Sequence, residues 1–326
     1  MVFLMNEKYF IITIDTEGDD QWDTGNHVST KNAKFIPRFQ ELSEKYGFYP
    51  TWLTNYEMAD DPFYIEYISE KIHNNRCEVG MHLHAWNSPP DYNINAINDQ
   101  HAYIYEYSYD AMYEKAKILT SKLEDTFNIN VTSHRSGRWA TNEQYFKVLS
   151  DLGYKVDCSF TPFVSWKKLP GATGAEGSDY TDSPLTPFLV YGNIMEVPMT
   201  IRPLRYFSLK GLSCAKDLLH EFKYCLRRRK VWVRPTNHVG YSLIKKVINA
   251  SDEADYIMFM MHSSELMPGG SPFFQTDKDI ELLYDEIESL FYYLKTQNYM
   301  GCTLTNYYNI RIDDMNNNRY SFGSEH

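Results

Sequence analysis

The sequence predicts an α/β fold, a parallel sheet with helices outside it that seven or eight β/α units close or distort into a barrel. Two observations predict it. Strand-like and helix-like segments alternate through the first two-thirds of the 326 residues, the pattern that yields parallel strands. Five short apolar runs also end in chemically useful residues: YFIITID, CEVGMHLH, NVTSHR, YKVD and YIMFMMH. In such folds the loops after the strands' carboxyl ends converge on one face, where active sites lie. A doubly wound open sheet is the alternative, because periodicity alone fits both.

The elements follow in order. KYFIITID is a strand, and residues 31–46 form a helix ended by Gly47. FYPTWLT is the next strand, before a helix over 62–75 that Asp61 caps and Pro62 opens. CEVGMHLH is a strand, then a polar and aromatic loop runs from Ala85 to Tyr107. Residues 108–127 form a helix, NVTSHR a strand, and 141–151 a helix with Thr141 as N-cap. YKVD is the fifth strand. A long loop, Phe160 to Tyr191, breaks the rhythm with Pro, Gly, Ser, Thr and Asp. NIMEVPMTI resumes as a strand, then a helix at 213–228, a VWVRP strand, and a helix at 238–250. YIMFMMH, a helix at 277–297 and a closing GCTLTNYY strand complete the chain. Without a linker or repeat, residues 1–326 read as one catalytic domain with a core of about 8–305.

Composition narrows the function. A net charge of −11 argues against a nucleic-acid partner, since phosphate binding needs clustered Lys and Arg. The one basic run, Arg227-Arg228-Arg229-Lys230, reads as a solvated helix end or as contact with an anionic or lipid-linked substrate. No stretch reaches the ~20 apolar residues of a membrane span, and the N-terminus lacks a secretory-signal pattern. Five scattered cysteines without a CxxC pair suit reduced thiols, so the expectation is a cytoplasmic protein. Aromatics make up 16% of residues, and Tyr and Trp can stack on sugar rings as well as fill a core.

The strand ends carry the chemistry. His82 and His84 lie at i and i+2 of a strand, so both imidazoles point to one face and can reach one ion. Two His and one carboxylate leave coordination positions open for water and substrate. Asp15 and Glu17 repeat the relation, so one can bind an ion while the other serves as general base; Asp19 competes with Glu17 as third ligand. Arg135, with Arg138 as rival, can hold Asp15 ionised. His262 suits proton donation to a leaving group, with Asp157 orienting its ring. Ser263 and Ser264 adjoin His262, but no nucleophile elbow surrounds them.

These strings resemble the polysaccharide deacetylases of carbohydrate esterase family 4, the NodB-homology group, in family order over residues 8–305. ITIDTEGD resembles the motif of the base and a metal-binding acid, EVGMHLH that of the metal-binding histidines, and SHRSGRW the Arg motif. VDCSFTP resembles the fourth motif, and FMMHSSELMPGG the last, which carries the general acid. The DTE, GxHLHxWN and HSSELMPGG wording is similar to the WalW-like subgroup. The resemblance implies a distorted (β/α) barrel of about seven strands, Asp15 as base, and Glu17, His82 and His84 as ligands of a divalent ion. Zn²⁺ is the first choice, with Co²⁺, Ni²⁺ or Fe²⁺ as alternatives. His262 is implied as acid, and Arg135 and Asp157 as supports.

Two departures stand out. Thr16 occupies the place of a second adjacent Asp, and Trp86 that of a His four residues after the first. Both changes leave an i, i+2 pairing on one strand face. The expected activity is removal of an N-acetyl or O-acetyl group from a sugar or glycan precursor of surface polysaccharide or lipopolysaccharide. The alternatives are a C–N hydrolase of small non-sugar amides and a sugar-binding barrel that has lost its metal.

Overall fold

The computed structural model describes residues 7–19, 29–192, 194–206 and 228–322, with side chains as far as 313. Eleven strands occur among them: β1 Lys8–Thr16, β2 Thr51–Thr54, β3 Glu78–Leu83, β4 Ser133–Ser136, β5 Val156–Asp157, β6 Phe188–Tyr191, β7 Ile194–Glu196, β8 Ile201–Leu204, β9 Arg229–Trp232, β10 Tyr256–His262 and β11 Tyr299–Cys302. The helices are α1 Ile36–Lys45, α2 Pro62–His73, α3 Tyr109–Phe127, α4 Glu143–Asp151, α5 Tyr241–Asn249, α6 Asp277–Thr296 and α7 Leu304–Phe322.

The main sheet runs β10-β1-β2-β3-β4-β5-β7-β6, and β11 pairs with the start of β1. Every neighbouring pair from β10 to β7 is parallel, a run of seven strands, and β6 joins antiparallel at one end. The sheet curls into a half-barrel, as the predicted distorted barrel requires. β8 and β9 form a separate antiparallel pair.

The central strands β1 and β10 bury both faces, and their alternation divides the core in two. Phe10, Ile12 and Ile14 of β1, with Ile257, Phe259 and Met261 of β10, pack outward against α1 and α6. Tyr9 and Ile11, with Tyr256, Met258 and Met260, face inward and meet Leu53, Val156, Cys158 and Met195. Burying a large side chain of this kind contributes ~1.5–3 kcal/mol. Tyr307 of α7 packs edge-on against Tyr9 and at a tilt against Tyr256, sealing the end of the barrel where these strands begin.

The local capping signals are mostly as expected. The Asp61 side chain accepts the Tyr64 N–H and opens α2, with Pro62 at its first position. The cap of α4 is Asn142, whose side chain accepts the Tyr145 N–H, rather than Thr141. Four other expectations shift. The loop after Phe160 ends in strand β6, NIMEVPMTI splits into β7 and β8, and VWVRP begins earlier, as β9. The closing GCTLTNYY strand stops at Cys302, because Thr303 accepts the Asn306 N–H on its hydroxyl and starts α7. The helix expected over 213–228 lies, but for its last residue, outside the described residues. Cys77, Cys158 and Cys302 are free and buried; Cys214 and Cys225 also lie outside. Among the described residues no helix is long and apolar enough to cross a membrane.

Candidate active site

Strand parity places the site. Asp15 continues the inward row of Tyr9 and Ile11 on β1, and His262 continues that of Met258 and Met260 on β10. The parallel register sets Asp15 level with His262, and His82 of β3 level with Arg135 of β4. At the end of β4, Gly137 packs against His84. A Cβ there would fall 2.6 Å from the Leu83 carbonyl oxygen and 2.8 Å from Cδ2 of His84, so the close approach needs glycine.

Glu17, His82 and His84 converge, all buried, with ligand atoms within 4.8 Å of one another. Glu17 Oε2 is 3.1 Å from His84 Nε2 and 3.6 Å from His82 Nε2, and the two Nε2 atoms are 2.9 Å apart. Tetrahedral Zn²⁺ with bonds of 2.0–2.1 Å would space its ligands about 3.3 Å apart, close to these separations. His82 Nδ1 lies 3.0 Å from the Arg135 carbonyl oxygen, which can only accept, so Nδ1 carries the proton and Nε2 keeps its lone pair. The donor set therefore fits a divalent cation. His84 Nδ1, by contrast, is buried without a hydrogen-bond partner among the described residues. Its ring stacks on Trp86 at 4.3 Å, and Trp86 stacks on His101 at 4.5 Å. Burial, with His84 and Arg138 nearby, pushes the His101 imidazole down to about 4.

Asp15 sits beside this cluster. Its Oδ1 accepts a 2.6 Å hydrogen bond from Arg135, leaving Oδ2 at 3.9 Å from His82 Nε2 and 3.8 Å from His262 Nε2. Arg135 is fully buried and also donates to Thr13 Oγ1 at 2.6 Å. Taking a guanidinium out of water costs several kcal/mol, which these charge-assisted bonds offset. Burial disfavours ionised Asp15, but Arg135, His82 and His262 outweigh it and hold the carboxyl below the usual range. Arg138, the rival for this task, instead donates to the carbonyl oxygens of His101 and Pro170.

His262 takes its support from Glu265, not from Asp157 as the sequence suggested. Glu265 Oε2 is 3.5 Å from His262 Nδ1 and accepts the His262 backbone N–H at 3.0 Å. Arg234 holds the other oxygen of Glu265. Asp157 alternates with Val156 and Cys158, which face inward, so it points to the helix side. There its Oδ2 meets His134 Nδ1 at 2.5 Å, while Tyr145 of α4 meets His134 Nε2 at 3.0 Å. Burial raises the neighbouring Glu196 carboxyl well above its usual range, and the Asp157 charge adds to it.

The alternative ligand Asp19 is engaged elsewhere. Its oxygens accept from Asn32 N at 2.9 Å and Lys31 N at 3.0 Å, fixing the turn before α1. Ser263 serves the Glu17 backbone: its hydroxyl accepts the Glu17 N–H at 3.1 Å and lies 3.1 Å from the Glu17 carbonyl oxygen. Sequence reasoning missed Glu265 in this supporting role; its spacing three residues after His262 was the available signal.

Asp15, Glu17, His82, His84 and His262 open into a cavity of about 630 Å³. Its walls include Trp86, Trp139, Trp166 and Trp232, with Arg138 and Lys230. Arg229 and Lys230 of the basic run lie on β9 rather than at a helix end, and Arg227 lies outside the described residues.

No protein-family model matches the chain, and no curated protein matches it in sequence. Solved structures do match. A "putative polysaccharide deacetylase" from Mycobacterium smegmatis is 10% identical, with a TM-score of 0.52 over 96% of this chain and 92% of that one. The 4-alpha-glucanotransferase of Thermococcus litoralis is also 10% identical, with a TM-score of 0.50 over 92% of this chain and 40% of that one. A CE4 family pseudoenzyme from Bacillus anthracis is 12% identical, with a TM-score of 0.45 over 92% of this chain and 65% of that one. The first of these establishes the deacetylase-type barrel as the fold; the chemistry rests on the residues.

Proposed function

We propose that the chain is a metal-dependent carbohydrate deacetylase, a hydrolase that removes an N-acetyl or O-acetyl group from a sugar. One observation carries this reading: Glu17, His82 and His84 converge on one point, with Asp15 and His262 beside it. The fold shared with the polysaccharide deacetylase-like protein of Mycobacterium smegmatis supports it. A divalent cation held by those three residues supplies Lewis acidity toward an acyl oxygen and makes water a stronger acid.

The protein's own groups then divide the proton work. Asp15, kept ionised by Arg135, accepts the proton of the attacking water through its free Oδ2. His262 is held protonated: burial opposes its charge, but the carboxylates of Glu17, Glu265 and Asp15 outweigh it. It donates to the departing amine or alcohol while Glu265 fixes the ring. Asp157 stabilises the fold on the far face of the sheet.

The finer reading is a single-domain cytoplasmic enzyme of the WalW-like kind, using Zn²⁺ on a precursor of surface polysaccharide or lipopolysaccharide. The HSSELMPGG wording supports it. The test is elemental analysis of purified protein, with assays for acetate release from N-acetylhexosamine conjugates and formate or ammonia release from small amides. Acetate release that a chelator abolishes is expected. Formate or ammonia in its place, or acetate release without metal, would overturn the reading.

A further inference from the structure

We propose that the cavity selects a sugar bearing an acidic substituent, a phosphate or a carboxylate, and that Lys230 and Arg138 bind it. This deepens the deacetylase reading by naming its substrate class. The alternation of β9 and the residues after it buries Val231 and Val233 and turns Lys230, Trp232 and Arg234 into the cavity. Arg234 is paired with Glu265. Lys230 forms no ion pair among the described residues. Arg138 donates to the neutral carbonyl oxygens of His101 and Pro170, and its guanidinium lies 4.1 Å from the centre of the Tyr103 ring.

The carboxylates lining the cavity among the described residues are Asp15 and Glu17. Arg135 holds the first, and the histidine pair holds the second. Among the described residues, two cations in the cavity therefore have no carboxylate partner, in a chain whose net charge is −11. Bulk composition does not produce that; a cavity with a local field of the opposite sign concentrates anions.

The backbone at Arg138 is also unusual. Arg138 and Trp139 take φ values of 53° and 58°, a left-handed pair without glycine, and each such residue costs about 1–3 kcal/mol. The turn sets Trp139 between Trp166, at 6.4 Å and nearly parallel, and Trp232, at 5.3 Å. Aromatic faces beside a guanidinium and an ammonium suit a sugar ring with a charged group attached.

The test uses the full chain and needs no turnover. Tryptophan fluorescence is titrated with glucose, glucose 1-phosphate and glucuronate at low and high salt. One or both charged sugars should bind about tenfold more tightly than glucose, and salt should erode the difference. Lys230→Gln should cut the preference about fivefold, the scale of one exposed ion pair. Arg138→Gln, checked for folding by circular dichroism, should cut it further. Phosphate against carboxylate preference identifies the substituent. Equal affinity for all three sugars, or a preference that Lys230→Gln and Arg138→Gln both leave intact, overturns the proposal. Anion preference without acetate release would instead count against the deacetylase reading alone.

Discussion

The Glu265 carboxylate stands 3.5 Å from Nδ1 of His262 and accepts the same residue's backbone N–H at 3.0 Å, so one side chain fixes both the ring and its strand end. Glu265→Gln should lower kcat about tenfold, the low end for losing a group that orients a functional histidine. It also removes one of the charges that raise the His262 pKa. A general acid must be protonated, so activity is lost as pH rises through that pKa. The alkaline limb of the rate profile should therefore move to lower pH in the variant. An unmoved limb would remove Glu265 from this role.

Asp157 gives the contrasting case. It is fully buried and bonded to His134, with Ser159 donating to it at 2.9 Å. Asp157→Asn should cost about 2 kcal/mol through its disrupted hydrogen bonds, lowering Tm by about 3 °C in a chain of this length. The pH limits of kcat should stay in place. A shifted alkaline limb with unchanged Tm would return Asp157 to the catalytic group.

Base and ligands should separate cleanly. Asp15→Asn should reduce kcat by roughly two to four orders of magnitude while metal content stays near that of the parent. His82→Ala should lose both metal and activity, because it removes one of three ligand atoms. Elemental analysis of both variants reads the difference, and metal retained in His82→Ala would refute the ligand assignment.

Trp86 should act on the metal through His84. Among the described residues that histidine's Nδ1 has no hydrogen-bond partner, and its ring is held by stacking at 4.3 Å. Trp86→Ala should weaken Co²⁺ affinity about tenfold in a competitive chelator titration, and Trp86→Phe should retain most of it. Equal loss in both variants would show that the flat ring face is not what matters.

Much of this was legible beforehand because strand alternation has a fixed period. The i, i+2 spacing of His82 with His84, and of Asp15 with Glu17, puts each pair on one face whatever the surroundings. Arg135 was readable as the partner of Asp15 because the two runs end in opposite charges. Glu265 escaped notice because it lies in a single turn after β10, beyond any strand pattern. Trp232 was hidden, and Lys230 was readable as a possible contact for an anionic substrate but not as part of a strand, because β9 stands outside the main sheet and has no counterpart in the β/α rhythm.

By itself the sequence determined the parallel α/β class, the strand ends that hold the chemistry and the residue pairs that share a face. It did not determine which face. The strands are apolar on both sides, so hydrophobicity cannot tell the barrel interior from the helix layer, and Asp157 looked as able as any other residue to serve the site. Only packing decided that: Val156 and Cys158 took the interior, and the one-residue offset sent Asp157 to His134 and left His262 to Glu265.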